Sequence, residues 1–300
     1  MQITTKRIYR RTIALDLAGL LLVASGLLHA GLWLWEGSSL AGPVSLRKPI
    51  LFGLSAGITL ISLGWVVRKL PRRLGDNLLW PTIAIAMVIE VGLITLQQWR
   101  GVPSHFNRET SLDFAVLGSI ELLIVLVSIG IFELTRRTFG KLDAQTDIAV
   151  AIRGGMVLLS LSCLLGFVIM GWGHYQMAFG RSPEVFGTAG VMKFPHGVPM
   201  HAIQLLPMLA WLMKRFDIPL YRRTLSVTLA LLATCTFTIY SVLQTFTGRA
   251  RFDVWWLSAI ALIVAVVLIV PILVAIASPV WQNSGLTRRR SISSDGIFDP

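Results

Sequence analysis

Eight long runs of apolar residues restrict this chain to one class of fold. Each run is close to the roughly 20 residues that a helix needs to cross the hydrocarbon core of a bilayer. A chain inside the bilayer must satisfy its own backbone hydrogen bonds, so such runs are typical of transmembrane helices. They cover residues 12–35, 48–67, 80–98, 112–134, 154–175, 198–213, 224–246 and 253–278.

The composition excludes an ordinary soluble protein, because 54% of the residues are hydrophobic and only 14% are charged. We therefore predict an all-α, polytopic transmembrane bundle of eight helices. Pro199 and Pro207 interrupt the sixth run. Pro199 suits the first turn of a helix, whereas Pro207 is predicted to kink the span and to free a backbone carbonyl.

The basic residues predict how the bundle is oriented. Nineteen of the 27 Lys and Arg residues lie in five segments that alternate along the chain: residues 6–11, 68–73, 136–153, 214–223 and 288–290. The positive-inside rule places these segments, and with them both termini, in the cytoplasm. Short clusters split among five segments do not form a nucleic-acid-binding face. We therefore expect a lipid bilayer and no nucleic acid as partner, and leave protein partners open.

The transmembrane domain is predicted to cover residues 1–281, and residues 282–300 are predicted to form a disordered cytoplasmic tail. A signal peptide is the competing interpretation of the first run. That run is too long for a signal-peptide core and no small-residue cleavage site follows it, so we expect a retained helix.

Three landmarks recur at nearly constant spacing and predict a tandem repeat of two four-helix units, residues 12–140 and 150–281. Four spans is an even number, so both units would have the same orientation in the membrane. The landmarks are His29 and His174, Lys48 and Lys193, each pair 145 residues apart, and the pattern Leu-Gln-x3-Gly at 96–101 and 243–248, 147 residues apart.

All five histidines are predicted to lie on the outer side: His29, His105, His174, His196 and His201. At 1.5 Å per helical residue, His29 and His174 lie within about 5 Å of the same depth. One interpretation treats the five as unrelated loop and interfacial residues. The other makes His29, His174 and His201 ligands of a haem iron or a transition metal.

Two outer segments concentrate polar groups that suit a small ligand or a cofactor. Thr110 and Asp113 have the spacing of a capping box, so the first segment is predicted to be folded. The candidate binding residues are Gln97, Arg100, His105 and Asn107 in the first segment, and Lys193, His196, His201 and Gln204 in the second, together with His29 and His174.

Glu90 and Glu121 are predicted to lie inside the membrane. A carboxylate there is costly unless it is neutral or paired, so both are candidates for a proton relay. The alternative is a protonated side chain that bonds to a neighbouring helix and serves packing only.

The two outer segments resemble motifs of a family of uncharacterised bacterial integral membrane proteins. The first motif is Gln97-x-x-Arg100-Gly101-x-x-Ser104-His105-Phe106-Asn107, and the second is Lys193-x-x-His196-x4-His201-x-x-Gln204-x-Leu206-Pro207. The family has an acidic residue in the lead-in to the second motif, and residues 190–193 of this chain lack it. The resemblance implies the bacterial inner membrane and brings no known activity.

Three functions remain open from the sequence. We favour a membrane protein of unknown activity whose polar, histidine-rich outer pocket binds a ligand or a cofactor, either haem or a transition metal. The alternatives are a proton-coupled transporter or a sensor for a small polar or anionic solute, and a non-catalytic membrane scaffold. The sequence contains no phosphate-binding glycine loop, no zinc-protease motif and no nucleophile elbow. Whether the protein is an enzyme is therefore undecided.

Overall fold

The protein is an all-α, polytopic transmembrane bundle. A computed structural model describes the backbone of residues 12–293 and the side chains of residues 12–274 and 276. The helices are α1 (Ile13–Glu36), α2 (Arg47–Arg68), α3 (Asp76–Trp99), α4 (Ser111–Thr138), α5 (Thr146–Ala178), α6 (Lys193–Met200), α7 (Ala202–Arg215), α8 (Leu220–Phe246) and α9 (Trp256–Ser293). Among the described residues, seven of these helices are long and apolar enough to cross a membrane.

The sixth predicted span is the exception, because two short helices take its place. α6 ends at Met200 and α7 begins at Ala202, with His201 between them. Both helices pack between α5 and α8, where one continuous span was expected. The interruption lies at His201, near Pro199, and Pro207 lies inside α7.

We call the side with the α1–α2, α3–α4 and α5–α6 connections the outer face, following the charge distribution, and the opposite side the inner face. The α5–α6 connection contains a small antiparallel hairpin of β1 (Val185–Phe186) and β2 (Gly190–Val191). The turn of this hairpin contacts the end of α8, because the Ala189 N–H donates to the Gly248 carbonyl at 2.9 Å.

The tightest helix pair is α1 with α2, where glycines let the two backbones approach. A Cβ atom on Gly57 would lie 2.6 Å from the Gly19 carbonyl oxygen, and one on Gly53 would lie 2.8 Å from the Gly26 Cα. Small residues four apart are a common packing device in membranes, where apolar surface alone does not drive helices together. The sequence pattern Gly53-x3-Gly57 carries this signal.

Ion pairs connect different helices at the inner face of the bundle. Arg137, 5% exposed, donates to both carboxylate oxygens of Asp76 and stacks on Trp80. Arg223 pairs with Asp147 at 2.8 Å. Some of the basic residues that predict topology therefore also hold specific helices together.

The two halves of the chain pack in the same way. α1, α2, α3 and α4 pair as first–second, first–third, second–third and third–fourth, and α5, α6–α7, α8 and α9 form the same pairs. Between the halves, Ser55 donates to the sulfur of Met200, and Gln204 donates to Thr59. Each of these two contacts joins residues 145 positions apart.

The end of the chain differs from its prediction. The backbone of α9 is helical to Ser293, through most of the segment that was predicted to be a disordered tail. No proline follows Pro279 before Pro300, so nothing in that sequence forces the helix to stop. Residues 294–300, the rest of the predicted tail, lie outside the described residues.

Candidate functional site

The loop between α3 and α4 is folded by a buried polar network. The predicted N-cap is confirmed, because the Thr110 hydroxyl accepts a hydrogen bond from the Asp113 N–H at 3.1 Å. The Asp113 carboxylate also accepts from Gln97 at 3.0 Å and from Arg100 at 2.7 Å. Gln97, predicted to bind a ligand, is fully buried, and with Arg100 it positions the loop.

The backbone of this loop turns sharply at two points. α3 ends in a Schellman turn around Gly101, whose φ is 73°, with Val102 N–H donating to the Gln97 carbonyl. Phe106 has a φ of 59°, which is unusual for a bulky side chain. Such strain persists only where the surroundings fix the backbone, so the loop holds His105 and Asn107 in a defined place. The Asn107 Nδ2 is buried without a hydrogen-bond partner.

Lysines from both halves of the chain surround His105. The Lys48 ammonium donates to the Ser104 hydroxyl at 3.2 Å, and that hydroxyl lies 2.9 Å from the His105 Nδ1. Burial, together with the charges of Lys48 and Lys193, lowers the pKa of His105 to about 3. The imidazole is therefore neutral near pH 7. The charges of Lys48 and Lys193, two of the predicted repeat landmarks, thus act on one predicted binding residue.

A carboxylate completes this cluster. Glu184, in the connection before the hairpin, accepts a hydrogen bond from Lys193 at 2.5 Å. Burial raises the pKa of Glu184, but Lys193 and the other nearby cations outweigh it and the pKa is lowered overall. Glu184 is therefore ionised near pH 7.

His174 lies on the other side of Phe106 in a second cluster. The Phe106 ring packs edge-on against it, with the ring centroids 5.6 Å apart. The His174 Nε2 lies 2.6 Å from the Glu121 carboxylate, and its Nδ1 lies 2.9 Å from the Arg108 guanidinium. Because arginine only donates, Nδ1 accepts and the proton lies on Nε2, from which it is donated to Glu121.

The remaining predicted histidines lie in separate surroundings. His29 is buried, with Nδ1 at 2.7 Å from the Ser25 carbonyl and Nε2 accepting from the Trp99 indole at 3.1 Å. His196 docks α6 on α5 through Ser162, with its Nδ1 at 2.7 Å from the Ser162 carbonyl. His201 occupies the junction between α6 and α7.

The histidines do not gather into a metal-binding group. In the part of the chain that the structure describes, no three His, Cys, Asp or Glu side chains are arranged to hold a metal ion. Both ring nitrogens of His29 and of His174 already have protein partners. A haem iron or a metal at either imidazole would have to displace one of those partners.

Glu90 is buried in the middle of α3, and its Oε2 has no hydrogen-bond partner. Its neighbours Met87 and Val91 belong to the same core as Met200 and Ile203, which flank the interruption at His201. Gln204, in the first turn of α7, also has a buried and unpartnered oxygen. Unsatisfied polar groups therefore occur on both α3 and α7.

Sequence reasoning missed four members of the outer clusters: Ser104, Phe106, Arg108 and Glu184. The first three lie in or beside the predicted binding segment, so attention to the hydroxyl, aromatic and charged neighbours of His105 would have included them. Glu184 had no such signal, because only the folded α5–α6 connection brings it to Lys193. Comparison with known protein families, curated proteins and solved structures finds no match to this chain.

Proposed function

We propose that this membrane protein transports a small polar or anionic solute, and that Glu90 couples proton movement to the transport. The resemblance of the two outer motifs supports a location in the bacterial inner membrane. The outer clusters around His105 and His174 are the proposed point of solute entry.

The observation that carries the proposal is the carboxylate of Glu90, buried at mid-helix with an oxygen that lacks a partner. An ionised carboxylate at that depth costs several kcal/mol unless it is paired. Release of its proton therefore has to accompany a change in the surroundings of Glu90. This is the property that a proton-coupling group in a transporter requires.

The interrupted helix α6–α7 supports the same proposal. Transporters commonly form their substrate sites at discontinuous helices near the middle of the bilayer, between related repeats. The interruption at His201 shares a core with the residues flanking Glu90. A conformational change at this junction would therefore reach the carboxylate.

The packing of the two halves also supports the proposed tandem repeat. α3 and α8 end in the same Schellman turn, in which Val102 donates to the Gln97 carbonyl and Arg249 donates to the Gln244 carbonyl. The glycines of the two turns have φ values of 73° and 71°. Equivalent turns, equivalent helix pairs and contacts between residues 145 apart are what a duplicated unit with a pseudo-two-fold axis predicts.

Proton movement in proteoliposomes tests the proposal. Vesicles that contain the full chain and an internal pH-sensitive dye are given inward gradients of inorganic phosphate, succinate or glutamate. We expect one of these solutes to acidify the interior, and we expect Glu90→Gln to abolish the acidification because the amide cannot exchange the proton.

Glu109→Gln is the matched control, because Glu109 lies exposed in the α3–α4 loop. It should leave acidification unchanged. The coupling role fails if Glu90→Gln vesicles acidify at the wild-type rate. A wild-type protein that moves neither protons nor any of the three solutes would contradict the transport proposal itself.

Glu121 is proposed as the outer member of the proton route, because its carboxylate is partly exposed and accepts from His174.

The haem or transition-metal alternative has less support, since the ring nitrogens of His29 and His174 are already bonded to protein groups. An absorption spectrum and a metal analysis of the purified protein distinguish the two. A haem absorption band or stoichiometric metal would favour the cofactor.

A further inference from the structure

The cluster around His105 gathers positive charge from two separate helix starts. Lys48 lies in the first turn of α2, and Lys193 is the first residue of α6. The charges of Lys193, Glu184 and Arg47 all act on Lys48. Three cations against one carboxylate leave the cluster positive near pH 7.

The positive ends of two helix dipoles add to these charges. The residues at the N-cap positions are Leu46 and Met192, and neither gives a side-chain cap. The first N–H groups of both helices therefore lack a capping side chain. An uncapped helix N-terminus carries partial positive charge and attracts oxyanions.

A buried hydroxyl just before α2 also lacks a partner. Ser45 is 4% exposed, and its Oγ makes no hydrogen bond. It lies beside the first turn of α2, where its carbonyl accepts from the Lys48 N–H at 3.1 Å. A buried hydroxyl without a partner is costly, so a ligand that accepts from it would be stabilised.

His105 contributes a neutral donor. Since Lys48 donates to the Ser104 oxygen, the Ser104 hydroxyl proton is free to be donated to the His105 Nδ1. The imidazole proton then lies on Nε2. A neutral imidazole N–H donates to an oxyanion without adding a further charge.

We propose that Lys48, Lys193 and His105 form a binding site for an oxyanion, the phosphate or carboxylate group of a solute or a lipid headgroup. The two ammonium groups balance its charge, and the bound group takes the place of Glu184 beside Lys193. This inference rests on the proposed function, because it names the chemical class of the solute that is recognised at the outer face.

Binding of inorganic phosphate to the purified full chain tests the site. The protein is placed in phosphatidylcholine nanodiscs, and binding is measured by titration calorimetry. We expect Lys48→Gln and Lys193→Gln each to weaken phosphate binding by about tenfold, since each removes one charge-assisted hydrogen bond. Lys193→Arg keeps the charge and should keep most of the affinity.

Arg181→Gln is the matched control. It removes an exposed basic residue of the outer face whose cation contacts the Phe179 ring. This variant should bind phosphate as the wild type does. Unchanged thermal unfolding of the lysine variants separates lost binding from lost folding.

A second arm separates a solute from a lipid. If phosphatidylglycerol from mixed nanodiscs is retained in native mass spectra and Lys48→Gln removes it, the oxyanion is a lipid phosphate. If inorganic phosphate binds in phosphatidylcholine nanodiscs and Lys48→Gln weakens it, the oxyanion belongs to a solute. The site is disproved if both lysine variants bind phosphate and phosphatidylglycerol as the wild type does, or if the wild type binds neither.

The outcomes also distinguish this site from the transport proposal. Lysine-dependent binding without any flux would support the oxyanion site and contradict transport. Proton-coupled flux that neither lysine variant changes would support transport and contradict the oxyanion site.

Discussion

At the scale of single residues, hydrogen-bond partners decide what each histidine can do. His29 has both ring nitrogens engaged inside the bundle, by Ser25 and Trp99. His174 is held between a cation and a carboxylate, which suits proton transfer better than metal binding. His105 faces two lysines and has its pKa lowered, so its neutral form belongs to the folded state.

The pH dependence of stability tests the environment of His105. The pKa of His105 falls from its ordinary 6.5 to about 3 on folding, first because of burial and then because of Lys48 and Lys193. Between these values the unfolded chain binds a proton that the folded chain excludes, so stability is lost as the pH falls below about 6.5. We expect the thermal midpoint to decrease by a few degrees between about pH 7.5 and about pH 5.

The variant His105→Asn isolates this contribution, because the amide does not titrate in that range. Its thermal midpoint should decrease less than that of the wild type over the same pH interval. An equal decrease in both proteins would show that other groups cause the pH dependence.

At the scale of elements, the main features of the bundle are the close packing of α1 on α2 and the break between α6 and α7. The α1–α2 pair depends on glycines at the contact, and the sequence pattern Gly53-x3-Gly57 would have been enough to predict it. Pro199 and Pro207 marked the sixth span as irregular, but they did not place the interruption at His201. Its position depends on how α6 docks on α5 through His196 and Ser162.

Gly57→Ala tests the α1–α2 contact. The new methyl group would overlap the Gly19 carbonyl, so the helices must separate, at a cost of about 1–3 kcal/mol. We expect a lower thermal midpoint in detergent. Gly92→Ala on α3 is the control, because no atom lies within 4 Å of its added methyl group. Since alanine favours a helix, that variant should be as stable as the wild type or slightly more so.

At the scale of the whole molecule, the distribution of charge and the equivalent packing of the two halves are the main features. The alternation of basic clusters predicts the sidedness, and the equivalent packing of the two halves supports a repeat around a pseudo-two-fold axis. Such an arrangement brings equivalent positions together near the axis. Lys48 and Lys193 come one from each half, and the charges of both act on the His105 imidazole.

Cysteine labelling of intact cells tests the sidedness. In a background where Cys163 and Cys235 are replaced by alanine, Ser39→Cys in the exposed α1–α2 connection should react with a membrane-impermeant maleimide. Asn77→Cys, exposed at the other end of the bundle, should react only after lysis. The reverse pattern would invert the topology and move the proposed oxyanion site to the cytoplasm.

The sequence by itself determined the class of fold, seven of the eight spans and the folded α3–α4 loop. These are local properties, since hydropathy, capping patterns and helix-breaking residues act over one or two turns. Only the tertiary structure decided that His29, His174 and His201 do not form one metal-binding group and that Lys48, Lys193 and Glu184 gather at His105. The reason is physical: side chains on different helices meet through packing and connections, and spacing along the chain does not specify those contacts.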